Sequence, residues 1–113
     1  LVFPISVSPL YGPHFIDAVK TIRNRFGSEL HISGGLSNVS FGLPNRKLIN
    51  DVFIYLCLDS GIDSGIIDPV QTNINNVFEL DISTFGFKIA RDMLLGKDDF
   101  CKNYLDAYRS GTL

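Results

Sequence analysis

The segment HISGGLSNVSFGLPNR (residues 31–46) passes from an apolar strand pattern into paired glycines, small polar side chains and the start of an amphipathic helix. Its polar residues are concentrated where the predicted strand gives way to the helix, although packing alone would not require them there. Polar side chains at such a junction suit the binding of a polar, planar ligand. We therefore expect a binding site in this loop.

The residues before this loop predict one complete strand–helix unit and the strand of the next. Leu1–Val7 is apolar and rich in β-branched residues, which indicates a short buried strand. Apolar residues then recur at helical spacing from Pro13 to Phe26, and Gly27 is a typical helix terminator. Glu29–Ser33 predicts a second strand that leads into the glycine pair.

The residues after the loop continue the same alternation. Apolar positions between Leu48 and Leu56 predict a second helix, which Gly61 ends. Ser64–Asp68 predicts a third short strand, which Pro69 stops. Helices between short apolar strands imply parallel pairing with right-handed crossover connections.

The last third of the chain predicts helices without further strands. A polar stretch over Gln71–Asn76 precedes a helix near Thr84–Leu95, with Gly96 as its stop. A final helix is predicted over Asp98–Arg109, with Asp98 as its N-cap.

The predicted order fits two α/β architectures. Three β/α units are compatible with part of an eight-stranded barrel and with part of an open, doubly wound sheet. The 113 residues have the size of one small domain, and the chain begins without Met inside an apolar segment. We expect it to be a piece of a larger protein.

Composition excludes several classes of function. The net charge is −2 and the ten Lys and Arg residues are scattered, so no nucleic-acid-binding surface is predicted. No apolar run is long enough to span a membrane and no signal peptide is evident, which favours a cytoplasmic protein. Cys57 and Cys101 lie in helical patterns without metal-type spacing, so reduced, partly buried thiols are expected rather than a disulfide or ligands. His14 and His31 lack the partners that a metal site would need.

The motif GGLSNVSFGLPNR (residues 34–46) resembles the loop after a late barrel strand in the pterin-binding methyltransferases. These enzymes move a methyl group between tetrahydrofolate and a corrinoid protein, and they include the folate domain of cobalamin-dependent methionine synthase. The resemblance covers nearly the whole chain and is strongest over Ser33–Arg46. It implies that residues 1–113 are the C-terminal portion, the last three β/α units, of a (β/α)8 TIM barrel.

Asn38 is the predicted catalytic residue. In the family this loop asparagine contacts N5 of the pterin, and Asn38 matches it within Ser-Asn-Val-Ser. An amide can both donate and accept hydrogen bonds, so it can follow a ring nitrogen through a change of protonation. The alternative is an asparagine whose side chain caps its own turn.

The resemblance also implies substrate-binding roles around Asn38. Ser37 and Ser40 flank it and are expected to hold it or contact the pterin, or to satisfy loop amides. Gly35 would allow close approach of a ligand or a positive φ. Arg46 corresponds to an arginine that helps to bind folate, although a surface ion pair would also explain it.

Two further positions bear on the predicted site. Asp68 ends the third predicted strand, where its carboxylate is expected to bind substrate or to cap the next turn. Members of the family bind the aminopyrimidine edge of the pterin with aspartates, one of which normally precedes the segment that Leu1–Pro4 matches. Phe41 departs from the family, because some members have a polar residue there that reaches the substrate.

The resemblance implies substrates and partners as well. Methyltetrahydrofolate or tetrahydrofolate would bind at the barrel mouth, and cobalamin or another corrinoid would be carried by a partner protein or a cobalamin-binding domain. Stand-alone members of the family commonly form a homodimer. The alternative from the residues alone is a phosphate-binding barrel fragment, with Gly34-Gly35 and the helix after Pro44 as the anion seat, or a scaffold without catalytic activity.

Overall fold

Helices and short strands alternate along the computed structural model, which describes residues 1–113. The first four elements are helix α1, strand β1, helix α2 and strand β2, and three further helices follow. In chain order the elements are α1 (Tyr11–Phe26), β1 (Ser33–Gly35), α2 (Arg46–Ser60), β2 (Ser64–Ile66), α3 (Ile74–Phe78), α4 (Phe85–Leu94) and α5 (Lys102–Arg109), with 3₁₀ turns at Gly27–Glu29, Ser37–Ser40 and Asp99–Cys101.

The two strands form a small parallel sheet, which confirms the predicted parallel pairing. Ser33 lies opposite Ser64, and Gly35 lies opposite Ile66. All three residues of β2 are exposed, and its outer edge pairs with no other strand. The fold is therefore mixed α/β with a parallel sheet, as the sequence indicated.

The prediction of a strand over Leu1–Val7 was wrong. Val2 N–H donates to the Gly35 carbonyl (3.2 Å), so this segment lies beside β1, but the next bond leads from Ile5 N–H to Val39 beyond the strand (3.0 Å). Pro4 has no N–H to donate between them. Without a continuous ladder, residues 5–7 form a turn.

The second strand is displaced along the chain from its predicted position. It was expected over residues 29–33, whereas β1 begins at Ser33 and includes both glycines of the pair. A Cβ on Gly34 would stand 2.9 Å from the ring of Phe15, and a Cβ on Gly65 would stand 2.9 Å from Leu36. Glycines form these strands because neighbouring side chains occupy the space above them.

Helix α2 is the centre of the core. It packs against α1, α3, α4 and the 3₁₀ turn at 37–40, and most of its faces are buried for that reason. The Phe53 ring lies 5.7 Å from the ring of Phe15 on α1, and the Tyr55 ring meets Phe87 on α4 edge-on at 5.4 Å. The fully covered α2 residues include Ile49, Val52, Phe53 and Cys57.

Glycines end the long helices where the sequence placed them. Gly27, Gly61 and Gly96 all have positive φ, at 72°, 119° and 79°. This left-handed backbone is accessible to glycine at little cost, and it turns the chain out of the helix. Helix α4 begins as predicted, because Thr84 Oγ1 accepts a hydrogen bond from Phe87 N–H (3.2 Å).

Arg23 connects the ends of the first two long helices. Its Nε and one terminal nitrogen donate to the Gly61 carbonyl at the end of α2 (2.9 and 2.7 Å). The other terminal nitrogen donates to the carbonyls of Gly27 and Leu30 after α1 (2.7 and 2.6 Å). A guanidinium suits this position because carbonyls at a helix C-terminus carry partial negative charge.

One short helix was missed in the polar stretch. Asn73 Oδ1 accepts a hydrogen bond from Asn75 N–H (3.0 Å) and starts α3, which buries only Val77. A five-residue helix shows too little periodicity to be recognised from its sequence.

Helix α5 starts later than predicted, yet Asp98 serves its first turn. The carboxylate accepts hydrogen bonds from Asn103 N–H and Tyr104 N–H, both at 2.9 Å. Between Asp98 and the helix, Phe100 and Cys101 adopt positive φ, which interrupts a continuous helix from 98.

Replacing Asp98 by Ala is expected to lower the free energy of unfolding by about 1–2 kcal/mol, because two amides of α5 lose their acceptor. Urea denaturation would measure the loss. Asp99 is exposed and adjacent, so Asp99→Ala is the matched control and should change stability by less than about 0.5 kcal/mol. Equal effects of the two variants would contradict the capping role.

Candidate functional site

The predicted site residues that follow the two strands meet at one cavity. Gly35 ends β1, Ser37 and Asn38 lie in the 3₁₀ turn after it, and Asp68 follows β2. All four line a shallow cavity of about 180 Å³, which is completed by Leu1, Leu36, Ile66 and Ile67. The carboxyl ends of parallel strands thus bring together residues that are some thirty positions apart in the sequence.

Asn38 presents its amide to this cavity. The side chain is exposed and makes no hydrogen bond within the chain, while the backbone carbonyl accepts from Phe41 N–H (3.1 Å) to close the turn. The turn therefore holds the residue through its backbone. Both the donor and the acceptor of the amide are free for a ligand.

Ser37 and Asp68 are joined to each other across the cavity. Asp68 N–H donates to Ser37 Oγ (3.3 Å), which links the loop after β1 with the loop after β2. Asp68 Oδ1 accepts from Val70 N–H (2.9 Å) and so caps the following turn. Oδ2 makes no bond within the chain, so the carboxylate can cap the turn and still accept from a ligand.

Arg46 and Ser40 lie behind the cavity and do not line it. Arg46 Nε donates to Ser40 Oγ (2.9 Å), and its NH2 group donates to the Ser37 carbonyl (3.0 Å). The buried Ser40 hydroxyl donates to the same carbonyl (3.2 Å). Together they brace the turn that carries Asn38.

The glycine pair does not form a phosphate cradle. Neither glycine has a positive φ, and a Cβ on Gly35 would stand 2.7 Å from the Leu1 side chain. The Gly34 position is covered by Phe15 in the same way. Side chains rather than open space lie above both glycines, so the phosphate-binding alternative is not favoured.

A second cavity, of about 300 Å³, contains none of the predicted site residues. It lies between α2, α3 and β2, and its walls are mainly apolar, with Asp63 as the charged residue. Polar groups that could orient a ligand are fewer here than around Asn38. The cavity after the strands is therefore the better candidate for the functional site.

His31 pairs with a carboxylate outside the site. Its Nδ1 lies 2.7 Å from Asp63 Oδ2, while Asp63 Oδ1 accepts from Ile32 N–H (2.8 Å). The hydrogen bond from His31 lowers the pKa of Asp63, and the Ile32 amide and the Arg23 guanidinium contribute in the same direction. His31 therefore pairs with Asp63 and lies outside the cavity that contains Asn38.

Both thiols are free and buried. Burial raises the pKa of Cys57 to about 12, and burial together with the charge of Asp98 raises that of Cys101 to about 11. Neither is a reactive nucleophile, because the thiolate is the reactive form. No group of three or more His, Cys, Asp or Glu side chains is arranged to hold a metal ion, and no helix is long and apolar enough to cross a membrane.

Comparison with known proteins identifies a relative. No protein-family model matches the chain. The chain is 40% identical over 85 residues to a methylcorrinoid:tetrahydrofolate methyltransferase of Eubacterium limosum. The alignment covers 75% of this chain and 28% of that enzyme, so the chain spans little more than a quarter of its relative. The chain is thus a relative of a corrinoid–tetrahydrofolate methyltransferase, which confirms the resemblance found in residues 34–46.

Some features of the site were not predicted from sequence. Leu1 forms part of the cavity wall, although the pattern indicated only a buried strand there. The bonds of Arg46 to Ser40 and to the Ser37 carbonyl were also not foreseen, since the family resemblance pointed to folate instead. The spacing Ser37–Ser40–Arg46 is the one sequence signal for these hydrogen bonds, because a side chain in the first turn of a helix can reach back to the preceding loop.

The stability of the chain is expected to fall in acid partly through Asp63. Because its pKa is lowered in the folded state, the unfolded state binds the proton more readily. The stability that ionised Asp63 contributes is fully present above the ordinary pKa of an aspartate. It is lost as the pH falls through the lowered pKa of the folded state. Asp63→Asn should flatten the dependence of unfolding free energy on pH below about pH 4.

Urea denaturation at several pH values between about 2 and 6 would test this expectation. Asp59 is an exposed aspartate without an ion pair, so Asp59→Asn is the control and should retain the acid slope of the original chain. A wild-type slope in the Asp63 variant would show that His31 does not stabilise the carboxylate.

Arg46→Met is expected to destabilise the chain by roughly 1–3 kcal/mol, because the Ser37 carbonyl and the Ser40 hydroxyl lose a charged donor. Hydrogen exchange at the Phe41 amide, which closes the turn, should also be faster in this variant. An arginine that only contacted a ligand would leave both measurements unchanged. Lys20→Met, on the exposed face of α1, controls for the loss of a positive charge.

Proposed function

We propose that this chain is part of an enzyme that transfers a methyl group between N5 of tetrahydrofolate and a corrinoid. The observation that carries the proposal is the cavity in which the unpaired amide of Asn38 lies beside Ser37, Gly35 and the carboxylate of Asp68. The name of the Eubacterium limosum relative gives the two substrates. The geometry supports a planar, polar ligand that is bound by hydrogen bonds at one edge.

We further propose that residues 1–113 are the C-terminal portion of a pterin-binding (β/α)8 barrel and contain its last three β/α units. The segment Leu1–Pro4, β1 and β2 lie side by side in that order, and a helix follows each of them. The exposed outer edge of β2 is available to a neighbouring strand, as closure of a barrel requires. The chain by itself is expected to be inactive.

Asn38 is the proposed catalytic residue. The tertiary amine at N5 of methyltetrahydrofolate leaves poorly until it gains a proton or a strong hydrogen bond. A donor whose bond strengthens as charge develops on N5 stabilises the transition state more than the ground state. The free amide of Asn38 can donate to N5 in one direction of transfer and accept from N5–H in the other.

The neighbouring residues would bind and orient the pterin. The free Oδ2 of Asp68 can accept an N–H donor from an aminopyrimidine edge, Oδ1 keeps a second lone pair beside its bond from Val70 N–H, and the link to Ser37 fixes the position of Asp68. Ser37 and Gly35 line the cavity beside Asn38. Arg46 Nε and NH2 and the Ser40 hydroxyl hold the turn, while Arg46 NH1 has no partner in the chain and is free to donate to the pterin.

The second substrate would be a corrinoid, cobalamin or a related one, carried by a partner protein or a cobalamin-binding domain. In one direction N5 of tetrahydrofolate would attack the methyl carbon, the carbon–cobalt bond would break with its electron pair left on cobalt, and N5 would lose its proton. In the other direction the reduced cobalt would supply the electron pair of the new bond, and the broken carbon–N5 bond would leave its pair on N5 to take up a proton. Transfer of this kind belongs to one-carbon metabolism, and a cytoplasmic location is part of the proposal. A homodimer is the assembly that we propose for the whole enzyme, in line with the family that the sequence resembles.

Replacing Asn38 by Ala in the whole enzyme is expected to reduce methyl transfer by about 10²–10³-fold. The dissociation constant for methyltetrahydrofolate should change much less, because the hydrogen bond to N5 acts mainly in the transition state. Calorimetry would measure binding, and the absorbance of the corrinoid would follow transfer.

Asn24→Ala, on the exposed surface of α1, is the matched control and should retain both binding and transfer. Asn38→Asp removes the donor at nearly constant size, so it should resemble Asn38→Ala in rate. Equal losses of affinity and rate in Asn38→Ala would overturn the catalytic role. Absence of folate binding by the unmodified enzyme would overturn the proposed function itself.

A further inference from the structure

A buried hydroxyl of the last helix reaches the loop that carries the candidate site. Tyr104 lies in the first turn of α5 and is fully covered by other residues of this chain. Its hydroxyl donates to the Pro44 carbonyl (3.0 Å), with the Asn45 carbonyl beside it at 3.3 Å. Burial raises the pKa of Tyr104 well above its usual value, so the hydroxyl keeps its proton and remains a donor.

The backbone that this hydroxyl contacts has an unusual conformation. Asn45 has a φ of 50°, in the left-handed region that a residue other than glycine adopts at a cost in free energy. Its side chain makes no capping hydrogen bond to α2. The left-handed residue turns the chain from the loop into the helix and thereby sets the direction of Arg46. The bond from Tyr104 therefore holds the backbone at the point where it needs an external contact.

Arg46 connects this part of the backbone to Asn38. Its Nε donates to Ser40 Oγ and its NH2 group donates to the Ser37 carbonyl, so the guanidinium sets the position of the 3₁₀ turn. A shift of the backbone at Asn45 would move both donors. The amide of Asn38, which makes no hydrogen bond of its own within the chain, would move with the turn.

A second set of contacts joins the start of α5 to the same 3₁₀ turn. The Cys101 thiol lies 3.7 Å from the Ile5 carbonyl, and Ile5 N–H donates to the Val39 carbonyl (3.0 Å). Asp98 fixes the first turn of α5, because its carboxylate accepts from Tyr104 N–H (2.9 Å). The start of α5 is thus a support behind the turn, on which the hydroxyl of Tyr104 is the polar contact to the loop before α2.

We propose that Tyr104 is a positioning residue for methyl transfer, which holds the amide of Asn38 in place through the segment Pro44–Arg46. This inference rests on the proposed function. Tyr104 does not line the cavity, so it acts through the loop and not on the substrate. Transfer needs the Asn38 amide within hydrogen-bond distance of N5 as charge develops, and a misplacement of about 1 Å can cost about 10²-fold in rate.

The test is Tyr104→Phe in the whole enzyme, which removes the hydroxyl and keeps the buried ring. The kcat for methyl transfer should fall about tenfold, while the dissociation constant for methyltetrahydrofolate stays within about threefold. Tyr108→Phe is the matched control on the same helix, since Tyr108 is 46% exposed and its hydroxyl makes no hydrogen bond within the chain. The control should change neither constant.

Combination with Asn38→Ala distinguishes positioning from a general loss of structure. Because Tyr104 acts through Asn38, Tyr104→Phe should slow transfer by less than about twofold in an enzyme that already carries Asn38→Ala. Hydrogen exchange over residues 37–46 of the whole enzyme should also be faster in Tyr104→Phe than in Tyr108→Phe.

An unchanged kcat in Tyr104→Phe would overturn the inference. Equal losses of affinity and rate would overturn it too, and so would a loss of rate that persists in full in the Asn38→Ala background. If the unmodified enzyme binds no folate, the proposed function fails and hydrogen exchange decides whether Tyr104 holds the loop. Faster exchange confined to residues 37–46 would then support that role, and unchanged exchange would overturn it.

Discussion

Close contact between core side chains and the glycines of the sheet is the constraint on which this fold depends. A Cβ on Gly34 would stand only 2.9 Å from the Phe15 ring, and a Cβ on Gly65 only 2.9 Å from the Leu36 side chain. Phe15 can then reach Phe53, so α1 and α2 share one core above the strands. Because β1 must be glycine there, the polar turn that carries Asn38 begins immediately after it. Packing and the position of the site are thus set by the same few residues.

The three longer helices, α1, α2 and α4, could be predicted from this sequence because their determinants are local. Apolar periodicity defines α1, α2 and α4, and glycines with positive φ end them at positions 27, 61 and 96. The strands are three residues long and rich in glycine, so their bounds depend on partners distant in sequence. Leu1–Val7 illustrates the limit, since it has the composition of a strand but only one bond to β1.

The candidate site likewise has a part that could be predicted from the sequence and a part that could not. That Ser37, Asn38 and Asp68 would meet follows from a general property of parallel strands, and they do line one cavity. Their roles remain proposals that rest on this geometry and on the relative. The partners of Arg46 could not be foreseen, because a guanidinium satisfies backbone carbonyls and ligands equally well. Only coordinates show that two of its donors are directed to Ser40 and to the Ser37 carbonyl.

The contacts of Arg23 have a consequence for how the chain can be divided. One guanidinium holds carbonyls after α1 and at the end of α2, so the two helices share a single cation at their negative ends. Separation of either helix end leaves acceptors of both units without a donor. Helices α1 and α2, with β1 between them, should therefore open together as one cooperative block. A recombination junction between α1 and α2 would separate Arg23 from the Gly61 carbonyl that it binds. A junction after β2 would keep α1, β1 and α2 together with this contact.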